Sequence, residues 1–204
     1  RQSVTQNIQF YSATQRHEEE KTLIVGFCSS AMRLMMPISR FLMHVDAERF
    51  DVLLLRDPDR NHYVHGVPEV CSDIQSLCEW LRCRVKGMGY NNVLSIGTSA
   101  GGVASLCVGI ANGWKRAISV GSDAPSNHPA LEAFLFDASQ TDSQTEVMVF
   151  YSALNERDSR GARDIARILP EAIQFGDAAS TKHNILDPAF KSGQLKNLFA
   201  AFFD

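Results

Sequence analysis

Two short runs limit what this chain can fold into. Leu23-Ile24-Val25 and Val52-Leu53-Leu54-Leu55 are apolar at every position, with no polar residue alternating between them. A strand with one wet face alternates, so unbroken apolar strands predict a parallel sheet covered by helices on both faces. Other segments rich in β-branched and aromatic residues extend the pattern, giving expected strands at residues 8–12, 23–27, 52–55, 93–97, 117–121, 147–151 and 172–175.

Between these strands the apolar period changes to 3.6. Val70, Ile74, Leu77, Cys78, Leu81 and Val85 make one stripe and predict a helix over residues 68–86. Ile38, Phe41, Leu42 and Val45 make another, with Pro37 suited to its first turn. Ala162, Ile165, Ala166 and Leu169 form a third, and Leu195, Leu198, Phe199 and Phe202 a C-terminal one started by Asp187-Pro188. The polar stretch over residues 14–21 reads as an exposed connection. Strand alternating with helix along the chain predicts one domain over residues 1–204, a three-layer α/β/α sandwich around a mostly parallel sheet. Because the chain opens on Arg1 rather than Met, a piece excised from a longer protein is an expectation as well.

Composition narrows the partners. A net charge of −3 offers no electrostatic footprint for nucleic acid or an anionic membrane, so neither is expected. The longest apolar stretch, residues 101–111, is too short to cross a bilayer, and no signal-peptide pattern opens the chain. Five cysteines (Cys28, Cys71, Cys78, Cys83, Cys107) give an odd count without a CxxC pair. That predicts reduced thiols and a cytoplasmic setting rather than a disulfide framework.

The segment that carries chemistry is Val93-Leu-Ser-Ile-Gly97-Thr98-Ser99-Ala100-Gly101-Gly102, a G-x-S-x-G between a buried strand and an apolar helix containing Val103, Leu106, Cys107 and Ile110. A serine on so tight a strand-to-helix turn needs residues without bulk two positions to either side, which Gly97 and Gly101 supply. The turn lifts Ser99 over the strand ends, above a helix N-terminus whose free N–H groups can stabilise an oxyanion. A plain glycine-rich turn without chemistry is the alternative. No G-x-G-x-x-G and no lysine after the glycines supports a nucleotide site, and no cofactor is expected.

In this turn, and in element order over residues 23–204, the chain resembles the α/β-hydrolase superfamily of serine esterases, lipases and acyl-transfer enzymes. The resemblance implies a triad in the order serine, acid, histidine, with an oxyanion hole after an earlier strand. It places the base at His183, between the last strand and the C-terminal helix. For the acid it favours the loop after the strand at residues 147–151, with Asp158 first, Glu156 second, and Asp123 after the preceding strand third. Backbone N–H groups of Cys28 or Ser29, together with Ala100, are the implied oxyanion donors, although Gly26-Phe27-Cys28-Ser29-Ser30 departs from the glycine-rich HGGG form. The Cys28 side chain itself reads as packing rather than as a second nucleophile.

The loop over residues 56–65 follows a strand whose end should face Ser99. Its Arg56, Arg60 and Tyr63 suit recognition of sugar hydroxyls or a carboxylate, while a solvated loop with Asp57 and Asp59 paired to arginine is the alternative. His62 and His65 lack a third ligand in sequence, so no metal is expected there. Residues 122–146 leave room for one short helix around 130–138, and no large cap. The expected function is cleavage of a small-molecule or glycan acyl ester or thioester through an acyl-enzyme on Ser99. Acyl transfer to an alcohol by the same residues, or a silent binding module, are the alternatives.

Overall fold

The computed structural model describes residues 2–13 and 21–203. Eight strands form one sheet: β1 (Gln2–Ser3), β2 (Ile8–Tyr11), β3 (Thr22–Phe27), β4 (Phe50–Leu55), β5 (Asn92–Thr98), β6 (Arg116–Val120), β7 (Glu146–Ser152) and β8 (Ile173–Asp177). Their order is β1-β2-β4-β3-β5-β6-β7-β8, antiparallel at β1/β2 and β2/β4 and parallel from β4 to β8. The seven helices are α1 (Ile38–Met43), α2 (Ile74–Gly87), α3 (Gly102–Ala111), α4 (Pro129–Ser139), α5 (Glu156–Ile168), α6 (Leu186–Lys191) and α7 (Leu195–Phe203), counted among the described residues.

The unbroken apolar runs are explained by two cores. Successive side chains of a strand point to opposite faces. Leu23, Val25, Leu53 and Leu55 accordingly pack with Leu77, Leu106, Leu131 and Ile165 of α2 to α5. Ile24, Val52 and Leu54 pack instead with Phe41, Leu186, Phe199 and Phe202 of α1, α6 and α7. With both faces covered, these two runs have no wet face for a polar residue to occupy.

Three expectations about elements are corrected. The helix expected over residues 68–86 begins at Ile74, because Asp73 and Ser76 form a reciprocal capping box there. The single C-terminal helix is two, α6 and α7, parted where Gly193 takes φ +75°. Of the expected exposed connection, residues 14–20 lie outside the described residues, and Lys21 is 2% exposed. Its Nζ donates to Asp51 Oδ1 at 3.0 Å and to the carbonyls of Ala13 and Ala47, and Tyr90 Oη donates to Asp51 Oδ2 at 2.6 Å. A buried ion pair is tolerable when its remaining donors and acceptors are satisfied in this way. No helix among the described residues is long and apolar enough to cross a membrane.

Candidate active site

Ser99 opens a one-turn 3-10 helix, Ser99–Gly101, between β5 and α3. It takes φ +52°, a left-handed conformation that costs a non-glycine residue energy and is held by its surroundings. Those surroundings explain the glycines. A Cβ on Gly97 would collide with the Gly101 carbonyl, and one on Gly101 with the Phe27 carbonyl. A Cβ on Gly102 would strike Ser122. The turn is therefore packed backbone against backbone, and Ser99 is left half-buried at the carboxyl end of a central strand.

His183 stands between β8 and α6, 32% exposed, and its Nε2 lies 2.8 Å from Ser99 Oγ. Its Nδ1 lies 2.7 Å from Asp158 Oδ1, and Asp158 is 0% exposed. An ionised carboxylate only accepts, so it places the ring proton on Nδ1 and leaves the Nε2 lone pair facing the serine hydroxyl. Asp158 Oδ2 has no hydrogen-bond partner among the described residues. It packs beside Gly121, which has φ +55° and where a Cβ would come within 3.4 Å of that oxygen.

Asp158 does not sit on a loop as expected. Asn155 caps α5 by accepting the Asp158 N–H at 3.2 Å, so Asp158 lies in the first helical turn. Glu156 is exposed in that same turn. Asp123 is directed elsewhere, toward His128, Asn127 and Arg157.

The histidine loop is fastened by residues that sequence reasoning passed over. Ser152 Oγ donates to the Ser180 carbonyl, and Asn155 Nδ2 donates to the Thr181 carbonyl at 3.0 Å. Asn184 Nδ2 donates to the Met35 carbonyl at 2.9 Å, tying the same loop to the segment after β3. Asn155 had a legible signal, as a helix-capping residue followed by two acids in the first turn. Ser152 and Asn184 had none, since their partners are main-chain atoms distant in sequence.

The oxyanion expectation is corrected in part. The Cys28 N–H donates to the Leu55 carbonyl at 3.1 Å and the Ser29 N–H to the Arg33 carbonyl at 3.0 Å, so both groups are committed to the fold. Ala100, second in the 3-10 turn, precedes the first intrahelical bond, where backbone N–H groups have no helical partner. Burial pushes the Cys28 thiol up to about 12, in keeping with packing rather than nucleophilic chemistry.

The loop expected to bind substrate is in part turned into the fold. Tyr63 is 0% exposed, with its hydroxyl 3.0 Å from the carbonyls of Cys28 and Leu55. Arg56 donates to the Met32 carbonyl at 3.3 Å and to Gln9 Oε1 at 3.0 Å, bracing the segment after β3. Arg60 and His65 are exposed, and the buried Asp57 accepts the Tyr63 N–H rather than pairing with an arginine. The five cysteines are all free.

No family model matches the chain, and no curated protein is similar to it in sequence. Solved structures are similar in fold. MenH from S. aureus superposes with a TM-score of 0.62 at 11% identity, covering 97% of this chain and 98% of that one. A carboxylesterase structure from the thaumarchaeon Nitrososphaera gargenis gives 0.63 at 10% identity over 98% and 97%. Esterase 2 of Thermogutta terrifontis, phosphorylated by paraoxon, gives 0.61 at 14% identity over 96% and 86%. Strand order, the two helical layers and these superpositions agree: the chain has the α/β-hydrolase fold.

Proposed function

We propose that the chain is a serine hydrolase that cleaves an ester or thioester of a small molecule, or of an acylated glycan, through an acyl-enzyme on Ser99. The observation that carries this is the continuous chain of contacts from Ser99 Oγ through His183 to Asp158, at 2.8 and 2.7 Å. A serine hydroxyl is almost un-ionised near neutral pH and needs a base within hydrogen-bond reach. As Oγ attacks the acyl carbon, its proton passes to His183 Nε2. The imidazolium then gives that proton to the departing alkoxide or thiolate as the bond from acyl carbon to leaving group breaks. Water, deprotonated by the same nitrogen, attacks the ester on Ser99, releasing the acid and restoring the hydroxyl. Asp158 keeps the proton on Nδ1 and stabilises the transient imidazolium. The Ala100 N–H, at the positive end of the 3-10 turn and α3, supplies one oxyanion donor.

Esterases among the structural neighbours support an acyl ester as substrate. Only a 3-10 turn and α4 stand between β6 and β7, so a bulky leaving group meets no large cap among the described residues. Turnover of short-chain p-nitrophenyl esters by wild type and Ser99→Ala side by side tests the proposal. Wild type should exceed the variant by on the order of 10⁴-fold or more. Equal rates from the two proteins would leave a binding module instead.

A further inference from the structure

Apart from Ser99, His183 and Asp158, a second group of reactive side chains gathers at the carboxyl end of the sheet. His62 stands between β4 and α2, and Asp123 and His128 bracket the 3-10 turn Pro125–Asn127 that follows β6. One donor atom from each lies within 4.8 Å of the other two, and all three side chains are half-buried. The two imidazole rings are centred 3.8 Å apart and tilted by 31°. His128 Nε2 lies 3.4 Å from Asp123 Oδ2.

The surroundings hold these groups in place. Asp123 Oδ1 accepts the Ala124 N–H at 3.0 Å and the Asn127 side-chain amide at 3.0 Å, which leaves Oδ2 turned toward His128. Carboxylate ligands of metal ions are oriented by such outer hydrogen bonds. His62 is fixed through the main chain, with φ +63° and the fully buried Tyr63 immediately after it.

We propose that His62, Asp123 and His128 bind a divalent transition-metal ion of the zinc type, with solvent completing its coordination. Two imidazole nitrogens and one carboxylate oxygen form a donor set suited to zinc and its neighbours, whereas magnesium and calcium take oxygen alone. Bonds of about 2.0–2.1 Å in a tetrahedron set donors about 3.4 Å apart, so closing the cluster on an ion takes a shift of about 1 Å together with a turn of the two facing rings that aims one lone pair of each at the ion. The ion ties the β4–α2 segment to the β6–α4 segment. The site does not depend on the hydrolase proposal, because it shares no side chain with it.

Arg157 gives the proposal a sign. Its Nε lies 3.6 Å from Asp123 Oδ1, so its charge opposes a cation at the cluster. The full chain, stripped with a chelator, is titrated with zinc chloride against a chromophoric zinc indicator near neutral pH. The expected result is one zinc per chain with an affinity of about micromolar or tighter. His62→Gln and His128→Gln should each weaken it on the order of 10- to 100-fold or more, and Asp123→Asn should weaken it too. Arg157→Ala should tighten it on the order of threefold to tenfold. His183→Ala should leave it unchanged. Circular dichroism checks each fold, and should both histidine variants unfold, the opposite shifts of Asp123→Asn and Arg157→Ala decide. Binding no tighter than about 100 µM, binding lost with His183 rather than His62, or weakening in Arg157→Ala would each overturn the proposal.

Discussion

Asp158 is a carboxylate with no access to water, held by one imidazole N–H on Oδ1 and facing Gly121 with Oδ2. Replacing it with asparagine would offer His183 a donor as readily as an acceptor, which permits the ring to turn its lone pair away from Ser99. Asp158→Asn should therefore lower kcat on the order of 10⁴-fold while the protein stays folded. Proton transfer from Ser99 is useful only with attack, and attack needs the transfer. Ser99→Ala, His183→Ala and the double variant should therefore all lose similar amounts of kcat. Losses that multiply in the double variant would mean that the two side chains act separately. Ser99 and His183 are legible in the chain because a tight turn and a fixed order of elements constrain them. The identity of the acid is not, since Asp123, Glu156 and Asp158 all follow strand ends. What separates them is direction: Asp158 lies on the buried side of α5, Glu156 on the wet side, and Asp123 turns toward His128.

The elements are what hold Ser99 in a conformation it would otherwise avoid. The end of β3 lies so close to the turn after β5 that the Phe27 carbonyl occupies the place of a Gly101 side chain. Gly101→Ala should thus cost about 1–3 kcal/mol in urea denaturation, and lower the proposed ester hydrolysis more than that loss of stability explains. Gly87→Ala is the control: it ends α2 with nothing within 4 Å of the new methyl, and stability should hold or rise slightly. Strands and apolar helix faces are readable at this scale because their periods differ. Element ends are less so. A stripe beginning at Val70 says nothing of the capping box at Asp73, and the C-terminal stripe runs on through the break at Gly193. Both boundaries are set by a single residue's hydrogen bonds or backbone angle rather than by hydrophobic period.

At the scale of the whole molecule, two cores on opposite faces of one sheet leave the strand ends as the place where reactive side chains collect, consistent with ligand sites in open α/β sheets. The two-faced sheet follows from the sequence because apolar runs need cover on both sides. The fates of Lys21, Arg56 and Tyr63 do not follow, because each polar group is satisfied by main-chain or side-chain atoms far away in the chain. Polar composition marks a loop as exposed unless the fold brings such partners to it. Other serines near the turn, Ser95, Ser105, Ser119 and Ser122, are buried, so of these five Ser99 alone combines a facing imidazole with access to solvent. The central claim is best tested by treating the folded protein with a fluorophosphonate probe and mapping the adduct by peptide mass spectrometry. The expected result is one phosphonyl group per chain, on Ser99, with labelling abolished in Ser99→Ala and strongly slowed in His183→Ala. No adduct, or an adduct on another residue with Ser99 unmodified, would contradict the account.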